Sequence, residues 1–155
     1  MRVSVIGAGN CDAQTALTAR RLGRLLAEAG YDIVCGGLGG VMRAACQGAA
    51  EAGGLTIGIL PSASRDEANE FVAVAIATGL GIMRNALVVS NGEAAFAVEG
   101  GAGTLSEIAM ALKTGKPVIA LGQWSGLAGV IRAESPEDAM KILGGLDLQA
   151  ARTHY

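Results

Sequence analysis

Two stretches of this 155-residue chain carry residue types that can do chemistry. The first is Gly100-Gly101-Ala102-Gly103-Thr104-Leu105-Ser106-Glu107. It follows the apolar run Ala94-Ala95-Phe96-Ala97-Val98 and leads into a helical pattern. A strand that ends in glycines and turns at once into a helix presents outward N–H groups and a positive dipole end. Both favour an anion such as phosphate. The second stretch is Gly36-Gly37-Leu38-Gly39-Gly40, again at the end of a short apolar run. Its backbone is open to close ligand approach; a strained turn between packed elements is the other reading.

A third loop, Gly7-Ala8-Gly9-Asn10, follows the first apolar run and reads as a tight turn or as ligand contact. Asp12 stands where a dinucleotide fingerprint needs its last glycine, and no acidic residue ends the second strand to hold a ribose. A nicotinamide dehydrogenase is therefore not indicated, and no Gly-Lys-Ser/Thr run makes a P-loop. The candidate phosphate contacts are Gly7 and Gly9, then Gly36, Gly37, Gly39 and Gly40, then Gly100, Gly101, Gly103 and Thr104.

Thr104 and Glu107 have the spacing of a capping box, in which the Thr oxygen and the Glu carboxylate satisfy each other's backbone N–H groups. The functional alternative gives Thr104 a phosphate and makes Glu107 a base or ribose binder. Arg84, in Gly81-Ile82-Met83-Arg84-Asn85, is the cation to pair with the loop. Its guanidinium suits a bidentate clamp on phosphate, or a carboxylate partner. Arg43 offers the same chemistry more weakly. Glu99, on the rim of the anion loop, opposes phosphate unless it points away or meets a cation. Trp124 reads as interface or core filler, or as a stacking ring. Cys11, Cys35 and Cys46 read as small core residues.

The elements that must position these groups alternate. Strands are expected at residues 2–6, 32–35, 55–60, 71–77, 94–98, 118–121 and 130–133. Helices are expected at 12–29, 41–52, 82–91, 105–114 and from 136 to about 143, the last with Ser135 as N-cap. Residues 62–70 read as a surface loop. The alternation gives an α/β domain, a mostly parallel sheet covered by helices on both faces, with its ligand site at the strand carboxyl ends. Residues 1–145 form the single domain and 146–155 a tail.

Apolar residues make up 51% of the chain and charged residues 17%, which excludes disorder. A sheet buried on both faces, plus a subunit interface, accounts for the apolar excess. The net charge of −2 and the 3% aromatic content supply neither the basic face nor the stacking rings of a nucleic-acid binder. No run approaches a membrane span, and the N-terminus lacks a signal-peptide profile. Three cysteines without C-x-x-C spacing fit free thiols in a reducing cytoplasm. The one histidine, His154, lies beside the C-terminus, and no metal-ligand cluster is visible.

Two stretches together resemble a known family. Gly36-Gly37-Leu38-Gly39-Gly40-Val41-Met42, with Ala49-Ala50-Glu51-Ala52-Gly53-Gly54 and Ile57-Gly58-Ile59-Leu60-Pro61 after it, is the first; Gly100 to Glu107 is the second. Both are similar to the LONELY GUY (LOG) or "lysine decarboxylase-like" superfamily, which includes molybdenum cofactor carrier proteins and the DNA-processing protein DprA. The short carrier-like branch is the nearest. The resemblance implies a Rossmann-like three-layer fold, a homodimer or homotetramer, and a nucleotide-like phosphate on the glycine loops. The "lysine decarboxylase" label implies pyridoxal phosphate, but nothing in the sequence supports that cofactor; none is expected to be required, and a bound nucleotide or molybdenum cofactor would be cargo.

In the cytokinin-activating enzymes of the superfamily an Arg and the motif Glu serve hydrolysis of a nucleoside monophosphate's N-glycosidic bond. Arg84 and Glu107 match those positions. This chain departs from the pattern in having Glu99 where the family usually has Pro, and Asn85 where the enzymes have Lys. The expectation is a carrier or sensor for a phosphorylated nucleotide- or pterin-type ligand. A nucleoside 5′-monophosphate phosphoribohydrolase is the alternative, and DNA processing a third reading that would need a basic surface.

Overall fold

The computed structural model describes residues 1–148. Seven strands, β1 (Arg2–Gly7), β2 (Asp32–Cys35), β3 (Thr56–Leu60), β4 (Val74–Ala77), β5 (Ala95–Val98), β6 (Val118–Leu121) and β7 (Ile131–Arg132), form one sheet. Their order is β4-β3-β2-β1-β5-β6-β7, and every adjacent pair is parallel. Four helices connect strands, α1 (Ala13–Glu28), α2 (Gly40–Glu51), α3 (Asn85–Ser90) and α4 (Ala102–Lys113), and a fifth, α5 (Pro136–Gly144), follows β7. The result is a single Rossmann-like α/β domain.

The side-chain period of two in the strands divides the core into two layers. Val3, Val5, Phe96, Val98, Ile119 and Leu121 point to the layer that α1, α2 and α5 cover. Ile6, Ala95, Ala97, Val118 and Ala120 point to the layer under α3 and α4. Central strands β5 and β6 are buried on both faces, which is why their sequences read as unbroken apolar runs. Cys35 and Cys46 are buried in the first layer with their thiols 3.5 Å apart, and Cys11 is half-buried; all three are free.

Helix α1 starts where expected because the Asp12 carboxylate accepts from Thr15 N at 2.7 Å. Ser135 caps α5 in the same way, accepting from Asp138 N at 3.1 Å. The segment expected as one helix at 82–91 is divided: a 3-10 turn at Gly81–Arg84 leads into the short α3. At the far end of α3, the Lys116 ammonium donates to Val89 O at 2.8 Å, Ser90 O at 2.9 Å and Gly92 O. A cation on the last carbonyls stabilises that helix end.

The expected strand at 71–77 is shorter, because Phe71 to Ala73 are held in a turn. Thr56 Oγ1 donates to Phe71 O at 2.6 Å and accepts from Ala73 N at 2.9 Å. Leu146 and Leu148, placed by sequence in a tail, pack against the first core layer. Residues 149–155 of that tail, His154 included, lie outside the described residues. Among the described residues, no helix is long and apolar enough to cross a membrane.

Candidate functional site

Strand order reverses between β1 and β5, where the chain runs outward to β4 on one side and to β7 on the other. The connections leave from opposite faces there, so the strand ends part and leave a crevice. Gly7 of β1 lies beside Val98 of β5 at its lip. All three glycine loops converge on it.

The crevice holds a cavity of about 180 Å³. Gly7 and Gly9 line one wall, Gly36 and Met42 a second, and Gly101, Gly103 and Thr104 a third. Arg84, Asn85 and Glu107 complete it. Four glycines singled out by sequence do not line it: Gly37, Gly39, Gly40 and Gly100. Each of them is closely packed. A Cβ on Gly40 would stand 2.2 Å from Ala8 O, and one on Gly39 3.0 Å from Gly9 O. These two positions lock the second loop onto the first, with Val41 N donating to Ala8 O at 2.9 Å. A Cβ on Gly37 would meet Leu60 Cδ2 at 2.8 Å, and one on Gly100 would meet Thr104 Oγ1 at 2.2 Å.

Helix α4 begins one turn earlier than its apolar pattern suggests. Its N-cap is Gly101, which has no side chain to cap with, and its first backbone bond runs from Leu105 N to Gly101 O at 3.0 Å. The N–H groups of Ala102, Gly103 and Thr104 therefore have no partner within the helix, which is the arrangement that binds an anion. The same shift corrects the capping-box reading. Thr104 is the third helical residue and Glu107 the sixth, so neither stands where a capping box needs it.

Glu107 is instead buried, as is Arg84. Arg84 Nη1 lies 3.6 Å from Glu107 Oε1, with 10% and 8% of the two side chains exposed. Burial pushes the Glu107 carboxyl up to about 7, and the Arg84 charge pulls against that rise. Arg84 Nη1 also donates to Asn85 Oδ1. Asn85 in turn donates through Nδ2 to Ser106 Oγ at 3.1 Å, so it ties the guanidinium to the first turn of α4. Sequence reading missed this role of Asn85; its signal is an amide next in chain to the candidate cation. A Cβ on Gly36 would stand 2.6 Å from Arg84 Nη2, so this glycine makes room for the guanidinium. Arg84 Nε is buried and has no hydrogen-bond partner among the described residues.

Arg43 is elsewhere. It is exposed, forks onto the Glu70 carboxylate and stacks 5.0 Å from the Phe71 ring centroid. Trp124 donates through Nε1 to Glu99 O at 3.1 Å and is partly buried against the second core layer. It holds the β5–α4 loop. Asn69 holds the second glycine loop, donating through Nδ2 to Leu38 O at 2.9 Å. No group of three His, Cys, Asp or Glu side chains among the described residues is arranged to hold a metal ion.

A family model described as the SLOG cluster4 family matches residues 1–146. The chain belongs to the SLOG cluster4 family. An uncharacterised protein of Archaeoglobus fulgidus is 46% identical over 140 residues, covering 90% of this chain and 92% of that one. Among solved structures, the molybdenum cofactor binding protein of Rippkaea orientalis is similar with a TM-score of 0.84 and 38% identity. The match covers 92% of this chain and 93% of that one. The molybdenum cofactor carrier protein of Chlamydomonas reinhardtii matches with a TM-score of 0.84 and 35% identity, over 96% and 97%. The resemblance read from the two glycine stretches is thus established at the level of family and fold.

Proposed function

We propose that this member of the SLOG cluster4 family binds a phosphorylated nucleotide- or pterin-type ligand as a carrier or sensor, with molybdenum cofactor as its cargo. One observation carries the reading. A buried guanidinium with an unpartnered Nε–H stands at a cavity whose opposite wall is the uncapped N-terminus of α4. An orphaned buried donor is costly unless an acceptor reaches it. A phosphate between Arg84 and residues 102–104 would satisfy both sides at once. Similarity to the molybdenum cofactor binding protein of R. orientalis and the molybdenum cofactor carrier protein of C. reinhardtii supports the choice of cargo.

Mass spectrometry of the purified protein should find a phosphorylated pterin or nucleotide. Added molybdenum cofactor or nucleotide should raise the melting temperature, by roughly 2.7 kcal/mol of stabilisation at 100-fold over its dissociation constant. A silent panel with no co-purified ligand would overturn the proposal.

The same reading includes a homo-oligomer in a reducing cytoplasm. Leu80 just before the 3-10 turn, Ile82 and Met83 on it, Leu87 on α3 and Leu105 on α4 are exposed large apolar residues on the elements that carry Arg84, Asn85 and Thr104 to the cavity. Exposed large apolar side chains, where they join into one patch, mark an interface.

A hydrolase remains the second reading, on the strength of Glu107 alone. A carboxyl that titrates near 7 beside an arginine has the right poise for acid–base work on a nucleoside monophosphate. Release of free base from AMP, abolished in Glu107→Gln, would establish it; no release would remove it for that substrate.

A further inference from the structure

A second and larger cavity, about 530 Å³, lies on the other side of the β5–α4 loop. Val98 and Glu99 form its floor, Gln14, Thr15 and Thr18 of α1 one side, and Gly122 and Arg132 the other. Ligand sites commonly fall between about 300 and 1,000 Å³. The Arg84 cavity is below that range and fits one end of a ligand; this one is large enough for a ring system. The two are separated by a few residues of backbone, since Glu99 lines one and Gly101 the other.

We propose that this cleft seats the ring end of the ligand, and that the Glu99 carboxylate reads the paired N–H donors of a 2-amino-4-oxopyrimidine edge. That edge is shared by guanine and the pterins. The inference rests on the phosphate seat proposed above and deepens it.

The backbone at Glu99 is the first support. Its φ is +49°, and it is the one non-glycine residue with positive φ among the described residues. Side chains rarely adopt that region, and such strain collects at functional positions. The surroundings hold it there. Trp124 Nε1 donates to Glu99 O, Gln123 Nε2 donates to Gly100 O, and Glu99 N donates to Leu121 O at 3.4 Å.

The carboxylate is the second. It lies against the bare Cα of Gly122, where an added Cβ would stand 1.8 Å from Glu99 Oε1. Among the described residues it accepts no hydrogen bond. A carboxylate has acceptors only, set in a plane and spaced to take two parallel N–H donors. Charge is the third. An acid beside an anion seat disfavours a ligand that is anionic throughout. It favours one that carries phosphate at one end and an N–H pair at the other. At the cavity wall Gln14, and Arg132 through the N–H groups that its pairing with Glu134 at 2.7 Å leaves over, are the residues that carry donors for the 4-oxo group.

The test compares GMP with IMP, which lacks only the 2-amino group, by calorimetry on the full chain. A phosphorylated pterin is run alongside, and inorganic pyrophosphate reports the phosphate seat by itself. GMP and the pterin should each bind about tenfold or more tighter than IMP, the discrimination of a good bidentate contact. The tighter of the two identifies the natural ring. Glu99→Gln, isosteric but with one acceptor turned into a donor, should reduce the ratio to within about threefold. Equal binding of GMP and IMP by the wild type, or a full ratio in Glu99→Gln, overturns the inference while leaving the phosphate seat standing. If pyrophosphate and every nucleotide fail to bind, both readings fall.

Discussion

Arg84 Nη1 and Glu107 Oε1 stand 3.6 Å apart in a site that excludes most solvent from both. The separation is longer than a hydrogen bond, so attraction between the charges does not repay the cost of burying the carboxylate. Glu107 therefore titrates near 7, above its ordinary 4.5.

That shift has a sign. The folded state keeps a proton on Glu107 that the unfolded chain gives up between pH 4.5 and 7. The stability this group contributes is present below pH 4.5 and is lost as pH rises through about 7. Relative to Glu107→Gln, the wild type should lose up to roughly 3 kcal/mol across that window in denaturant titrations. An anion bound at Arg84 should raise the Glu107 pKa further. Binding at pH 7 should take up protons, read as a buffer-dependent enthalpy in calorimetry.

The glycines of the three loops separate by what a methyl group would meet. Gly40→Ala places Cβ 2.2 Å from Ala8 O at a φ of +58°. It should cost more than about 2 kcal/mol of stability, since both backbone strain and a clash are involved. Gly103→Ala meets nothing within 4 Å and lies in α4. It should leave stability unchanged or raised by up to about 1 kcal/mol, yet weaken phosphate binding at the cavity it lines. Thermal melts paired with a pyrophosphate titration check both halves.

The apolar face should act as an interface. Ile82 and Met83 are 68% and 67% exposed, so Ile82→Glu with Met83→Glu leaves the fold intact. Light scattering should show a dimer or tetramer for the wild type and a monomer for the double variant. A monomeric wild type would end the idea.

Glu99→Gly should raise the melting temperature. Relief of a positive-φ side chain is worth about 1 kcal/mol or more, offset by the added chain entropy of glycine. A stabilised variant with weaker ligand binding would mark Glu99 as a position where stability was given up for function.

Much of the fold was legible along the chain. Strand-and-helix alternation, glycines at the ends of apolar runs and the caps Asp12 and Ser135 are local signals, and a parallel sheet covered on both faces follows from them. Errors came where local patterns compete. The glycines before Leu105 hid the first turn of α4, because glycine is a poor helix former. That concealment made Thr104 and Glu107 look like a capping box.

The sequence by itself determined the elements, the three glycine loops and the residue types of an anion site. It named Arg84 and Glu107 without fixing their relation. Tertiary structure alone decided which glycines face the cavity and which lock loops together. Both kinds sit in the same short motifs, and only contact across elements distinguishes them. It also decided that Arg43 spends its charge on Glu70, that Asn85 braces Arg84, and that Glu99 faces a second cleft. The physical reason is common to all three. A side chain's partner and its burial depend on how the fold packs whole elements against one another: α2 against the β3–β4 loop for Arg43, the 3-10 turn against α4 for Arg84 and Asn85, and β5 against β6 for Glu99.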